Sequence, residues 1–158
     1  MEDIETVVYY YDELNESAKE KAREWYTEDL DYPYFREYLK TIESFCAEFN
    51  VKIKEYSIGA YAYSYIDTDA NNSHFRGLKL KDYLPKLGKD YDFIEYVLWV
   101  TFINTWKESS DPLKAFNEAI TLSVRDIQKD WEYMYSCESV EENIFINGYT
   151  FTEDGRRF

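Results

Sequence analysis

The stretch DPLKAFNEAITLSVRDIQKDWEYM, residues 111–134, carries the clearest helical pattern in the chain. It opens with Asp111 and Pro112, a strong helix start, because Asp caps free backbone N–H groups and Pro suits the first helical position. Apolar residues then recur at spacings of three or four: Leu113, Phe116, Ile120, Val124, Ile127, Trp131 and Met134. This spacing predicts a long helix with one buried face.

Further helices are predicted on both sides of this stretch. The segment Tyr91–Trp106 is apolar almost all round, which at this length favours a buried helix. A helix that opens near Pro33 has an apolar stripe of Phe35, Leu39, Ile42, Cys46 and Phe49. A short acidic helix is expected over Glu138–Asn143.

The segment SAKEKAREWY, residues 17–26, follows Asn15, a preferred N-cap residue. One face of this predicted helix carries Ala18, Ala22, Trp25 and Tyr26. Glutamates fall on or near the other face: Glu13, Glu16, Glu20, Glu24 and Glu28. We therefore expect an amphipathic helix with an acidic outer side.

Strands are predicted at the start, middle and end of the chain. Thr6–Tyr11 is β-branched and aromatic, and Val51–Tyr56 continues into a second strand segment, Ile58–Ile66, with alternating Tyr61, Tyr63 and Tyr65. The cluster Asp67–Asn72 is typical of a turn, with Ser73–Leu78 as the returning strand. Asp154-Gly155 suits the turn of a terminal hairpin. We predict an α+β fold, a small antiparallel sheet with several helices packed on one face, in a single domain over residues 1–158.

Charge is the most unusual property of the composition. There are 32 acidic and 18 basic residues, a formal net charge of −14, in a chain that is 45% apolar and 20% aromatic. Residues 1–37 and 90–158 each carry −8, whereas residues 38–89 carry +2. Such charge disfavours nucleic acid and anionic membranes as partners and favours a protein with a basic surface.

Residues that could meet such a partner fall into three groups. The acids around the first helix are Glu13, Glu16, Glu20, Glu24, Glu28, Asp29 and Asp31. The acids near the end are Glu138, Glu141 and Glu142, and the third group is Tyr61, Tyr63 and Tyr65. Each group also has an ordinary interpretation, a solvated helix face for the acids and one face of a sheet for the tyrosines.

Patterns that indicate catalysis, metal or cofactor binding are weak. His74 is the only histidine, and Cys46 and Cys137 have no close-spaced partner, so we expect a structural histidine and two buried thiols and no zinc site. Asp67, Asp69 and Asn71 begin like a calcium loop, but the sixth position is Asn72 instead of Gly and the twelfth is Leu78 instead of Glu. No Gly-rich phosphate loop is present. We predict a protein without catalytic residues, metal or cofactor.

The beginning MEDIE is acidic where a secretory signal would be basic and then apolar, and no run of aliphatic or aromatic residues, such as Tyr96–Val100, exceeds five residues. We therefore expect a cytoplasmic protein that does not enter a membrane.

Both ends of the chain resemble a family of small phage and prophage accessory proteins, often labelled antitoxin-like. The opening YYYDELNESAKEKAREWY and the closing YTFTEDG carry the resemblance, with Ser139, Glu141 and Asn147 between them. Family members usually have a Gly-rich middle segment, from which YSIGAYAYSYIDTDANNSHFRG departs. The resemblance implies a phage accessory gene product. With the cytoplasmic location expected above, we predict that it works in the cytoplasm of the host cell.

Three functions follow as hypotheses. The first is a protein-binding inhibitor of a host defence nuclease, of the anti-CRISPR type and directed against an effector such as Cas9. It would block the effector as a nucleic-acid mimic or by clamping a mobile domain. The second is an antitoxin that neutralises a basic toxin. The third is a small enzyme of unknown reaction.

Overall fold

The structure is a computed structural model that describes residues 7–28 and 30–158. It has an α+β fold, as predicted, and the chain divides into two compact units. We call Met1–Tyr32 with Tyr133–Phe158 the terminal unit, and Pro33–Glu132 the central unit. The single domain over residues 1–158 stays a prediction.

The terminal unit joins the two ends of the chain. Strand β1 (Tyr9–Tyr10) pairs antiparallel with the last strand, β4 (Thr150–Phe151), with Tyr9 opposite Phe151. Between them in sequence lie a 3₁₀ helix (Tyr11–Glu13), helix α1 (Glu16–Glu28) and, after the central unit, helix α5 (Cys137–Asn147). Its buried core consists of Tyr11, Leu14, Ala18, Ala22, Val140, Ile144 and Phe151.

The central unit is built on aromatic packing between helices. Its elements are α2 (Phe35–Ala47), β2 (Ile53–Ser57), β3 (Tyr65–Thr68), three 3₁₀ helices (Asn72–Phe75, Leu80–Asp82 and Leu84–Gly88), α3 (Phe93–Ser109) and α4 (Pro112–Met134). Phe45 packs edge-on against Trp99, with ring centroids 4.9 Å apart, and stacks on Phe116 at 5.4 Å. Such pairs bury large apolar area in a preferred geometry.

The predicted helices are confirmed, with small shifts at their ends. Asp111 caps α4, because its Oδ1 accepts the backbone N–H of Lys114 at 3.2 Å. Asn15 caps α1 in the same way, because its Oδ1 accepts the backbone N–H of Ala18 at 2.8 Å. Helix α2 begins at Phe35 instead of Pro33, and α5 is longer than the predicted Glu138–Asn143.

The prediction for the strands of the middle segment is partly wrong. β2 pairs with β3, but residues 58–64 form the loop between them and not a strand, and β3 includes Asp67, which the sequence pattern places in a turn. The Ser64 hydroxyl closes this loop by bonding to the backbone N–H and C=O of Gly59, both at 3.2 Å. Ser73–Leu78 is not a strand either, because Asn71 caps a 3₁₀ helix there.

The described strands form two separate two-stranded sheets, not one sheet. β1 is only two residues long, and part of its predicted span, Thr6, lies outside the described residues. The predicted terminal hairpin is present as a turn at Gly155, with Phe151 bridged to Arg157. Among the described residues, no helix is long and apolar enough to span a membrane.

Candidate functional site

The outer side of α1 is a row of glutamates, Glu16, Glu20, Glu24 and Glu28, which we call the acidic stripe. All four are exposed, and their spacing of four residues places them along one side of the helix over about 18 Å. Glu16 lies 3.9 Å from Lys19, and the other three form no ion pair with any described residue. Three of the four glutamates therefore lack an ion pair with a described residue, although Lys21, Arg156 and Arg157 line the same groove as Glu24 and Glu28.

The packing of α1 determines which side faces outward. Ala18 and Ala22 are buried, and their small side chains let the helix backbone approach the core of the terminal unit closely. Trp25 completes this face, with its ring centroid 5.2 Å from that of Tyr149 and 5.9 Å from that of Phe151. The predicted apolar face is thus confirmed, and the glutamates are left in solvent.

Helix α5 brings the second acidic segment into the same unit. It packs against α1, and its Glu138 and Glu142 are exposed. The terminal unit contains sixteen acidic and five basic residues, a formal charge of −11, whereas the central unit carries −3. Residues 1–32 supply −8 of this charge and residues 133–158 supply −3, whereas residues 90–132, with −5, belong to the central unit. The pairing of the termini therefore unites the acidic N-terminal segment with a smaller acidic C-terminal one.

Glu141 differs from the other predicted acids because its half-exposed carboxylate bonds to side chains of other elements of the unit. The Tyr11 hydroxyl donates to Glu141 Oε1 at 2.7 Å, and Arg23 Nη1 lies 2.7 Å from the Tyr11 oxygen and 3.4 Å from the carboxylate. Burial, and then the hydrogen bond to Glu141, raise the pKa of Tyr11 to about 12, whereas that hydrogen bond lowers the pKa of Glu141. Glu141 thus connects α5 to α1 and to the first 3₁₀ helix.

The remaining acids near α1 have local roles or no described structure. Glu13 accepts the backbone N–H of Tyr10 at 2.7 Å and so caps the 3₁₀ helix. Asp31 is exposed and accepts the N–H of Tyr32. Asp29 lies outside the described residues.

Exposed apolar residues in the terminal unit do not stand out in the sequence. Phe145 and Ile146 on α5 are each 69% exposed, and Tyr10 is 57% exposed. Tyr10, Phe145 and Tyr149 line a cavity of about 310 Å³, which we call the apolar notch. The sequence indicates them only by three consecutive apolar residues, Ile144, Phe145 and Ile146, because one face of a helix cannot bury all three.

The three tyrosines belong to the central unit, and two of them are neighbours, because the ring centroids of Tyr63 and Tyr65 lie 5.6 Å apart. Tyr61 and Tyr63 are 75% and 85% exposed in the loop after β2, whereas Tyr65 lies in β3 and its hydroxyl donates to Glu55 at 3.2 Å. Tyr61 has a left-handed backbone (φ 57°), held by Glu132, which accepts its N–H at 2.9 Å. The alternation that suggested a strand is thus a loop that presents two tyrosines to solvent.

The residues considered for metal binding or catalysis have structural surroundings. His74 Nδ1 accepts the N–H of Asn71 at 3.1 Å, and Asp69 accepts the N–H of Lys52 at 2.8 Å. Both thiols are free; Cys46 is buried, but Cys137 is exposed, which corrects the expectation of two buried thiols. Within the described part of the chain, no three His, Cys, Asp or Glu side chains are grouped closely enough to hold a metal ion.

Comparison of the chain with protein-family models, with curated protein sequences and with solved structures gave no match, so its function has to be inferred from these residues.

Proposed function

We propose that the terminal unit binds a basic surface of a host defence nuclease, of the CRISPR effector class that includes Cas9, and inhibits the nuclease without catalysing a reaction. The observation that carries this proposal is the concentration of a formal charge of −11 in the terminal unit. Nuclease effectors hold nucleic acid in positively charged channels, which an acidic protein complements.

The spacing of the charges on α1 suits a surface that binds phosphates. Four carboxylates over about 18 Å give roughly one charge per 6 Å, compared with one phosphate per ~3.4 Å along a DNA strand. The stripe alone has about half the linear charge density of a strand, and Glu138 and Glu142 on the neighbouring helix add to it. Lys and Arg side chains of a surface that binds phosphates could form ion pairs with these carboxylates.

Apolar contacts would supply the rest of the affinity. Complementary charge mainly speeds encounter, whereas large apolar side chains in the centre of an interface carry most of the binding energy. Phe145, Ile146 and Tyr10 are exposed in the same unit as the stripe. An interface that includes them would join a charged rim to an apolar centre.

The phage resemblance supports this direction of the proposal. The two segments that carry it, Tyr9–Tyr26 and Ser139–Gly155, fall in the terminal unit. A phage accessory protein of this kind would act in the cytoplasm of the infected host. Inhibition of a defence nuclease is a task that direct binding can perform there.

Affinity capture from a lysate of the host cell tests the proposal. The tagged protein should retain a nuclease complex at low salt, and retention should weaken as salt rises because the contact is electrostatic. Capture of a small basic toxin instead would favour the antitoxin function and contradict the nuclease target. Capture that does not depend on salt would contradict the role of the acidic stripe.

A further inference from the structure

The central unit contains a cavity of about 470 Å³ that the proposed function does not use. Helix α2, helix α3 and the segment between residues 84 and 91 form its lining. Its volume falls within the range of pockets that bind small molecules. Phe45, Leu98 and Trp99 form its apolar part and are themselves buried.

Three lysines line this cavity in a strongly acidic chain. Lys40 extends from α2, whereas Lys86 and Lys89 belong to the segment before α3. Lys86 Nζ lies 4.8 Å from the centroid of the Trp99 ring and 3.7 Å from Glu48. Glu48 and Glu95 also belong to the lining, so its formal charge is +1, in a chain with 18 basic residues against 32 acidic ones.

Hydroxyl groups accompany the lysines. Ser44 and Thr41 line the same wall, and Thr41 already donates to the Glu37 carbonyl at 3.0 Å. The Tyr91 hydroxyl is buried and has no hydrogen-bond partner among the described residues. Because buried polar groups in native proteins are nearly always paired, this hydroxyl can form a hydrogen bond with a ligand or with water in the cavity.

We propose that this cavity binds a phosphomonoester of a small hydroxylated molecule, such as a sugar phosphate or a nucleoside monophosphate. A phosphate group carries up to two negative charges and three strong acceptor oxygens, which matches three lysines better than a single carboxylate would. Glu48 and Glu95 also line the cavity and accept hydrogen bonds, so they suit the hydroxyl groups of the ligand. This binding is independent of the acidic stripe and of any protein partner.

Calorimetric titration of the full chain tests the proposal, with ribose 5-phosphate, adenosine 5′-monophosphate, adenosine and inorganic phosphate as probes. At least one phosphate ester should bind at millimolar concentration or below, and adenosine should not. Lys40→Gln and Lys89→Gln remove exposed cations and should each weaken binding by about three- to tenfold. Lys107→Gln, an exposed change on α3 outside the cavity, is the matched control and should leave the affinity unchanged.

Several outcomes would overturn the proposal. The lysines do not form a phosphate site if both esters fail to bind or if adenosine binds as tightly as its phosphate. The same holds if Lys107→Gln changes the affinity as much as Lys40→Gln and Lys89→Gln do. Inorganic phosphate binding as tightly as both esters would remove the role of Glu48 and Glu95. Retained far-UV circular dichroism in each variant separates these results from loss of the fold.

Discussion

Replacement of Gly155 by Ala should destabilise the terminal unit more than any other glycine substitution in the described chain. Gly155 has φ +90°, and a Cβ there would lie 2.2 Å from the carbonyl oxygen of Ala18. Ala18 is buried in α1, so the contact is with backbone that cannot turn away. A left-handed backbone costs an alanine about 1–2 kcal/mol, and overpacking costs about 1–3 kcal/mol. We expect a loss of about 2–5 kcal/mol in the free energy of unfolding.

Two other glycines provide controls that separate these causes. Gly148→Ala has the left-handed backbone (φ +64°) but no atom within 4 Å of the new Cβ, so only the backbone cost of about 1–2 kcal/mol remains. Gly88→Ala has neither a positive φ nor a close neighbour and should change stability by less than about 0.5 kcal/mol. The difference between Gly155→Ala and Gly148→Ala measures the close approach of the terminal turn to α1.

Urea titration followed by the Trp25 indole signal in NMR spectra is the appropriate assay. Trp25 packs on Tyr149 and Phe151, so its signal reports on the terminal unit. If Gly155→Ala loses no more stability than Gly148→Ala, the packing described between the terminal turn and α1 is wrong.

Two further predictions concern Tyr11 and the two cysteines. Tyr11→Phe removes the hydrogen bond to Glu141 and should lower the free energy of unfolding in urea by about 1–2 kcal/mol. The folded state keeps the Tyr11 proton to about pH 12, whereas the unfolded state loses it near pH 10, so stability should fall as pH rises through this window. Tyr11→Phe should lessen that fall. An unchanged alkaline profile would contradict the description of Tyr11. A thiol reagent should modify only Cys137 in the native protein and both cysteines in denaturant, because Cys46 is buried and burial raises its pKa to about 12. Rapid modification of Cys46 in the native protein would show that α2 is not packed as described.

The helices and their exposed acids could be predicted because the signals are local. Asp111 with Pro112, and Asn15, are capping residues that act within one turn of the helix they start. The placement of Glu20 and Glu24 in solvent follows from the position of Ala22 on the same helix. Such features need no knowledge of distant contacts.

The rest of the site depends on contacts between segments far apart in the sequence. The pairing of Tyr9 with Phe151 brings the acidic N-terminal segment and α5 into one unit, and the bond from Tyr11 engages one predicted acid, Glu141, within that unit. Tyr61 fails as a strand residue because Glu132, on a helix that follows much later, holds its backbone in a left-handed turn. Periodicity alone does not contain this information.

The central claim, that the acidic stripe contacts the partner, is tested most directly by a pair of charge-matched triple variants. Glu20→Gln/Glu24→Gln/Glu28→Gln neutralises the three stripe glutamates that form no ion pair with a described residue. Glu37→Gln/Glu43→Gln/Glu118→Gln neutralises three exposed acids of the central unit, with the same change in net charge. Each variant is titrated at low salt into a DNA-cleavage assay of the nuclease complex that the protein captures. We expect the stripe variant to need about tenfold more protein for half-inhibition, and the control variant to match the unmodified protein. Equal inhibition by both variants, or a larger loss in the control, would contradict the claim.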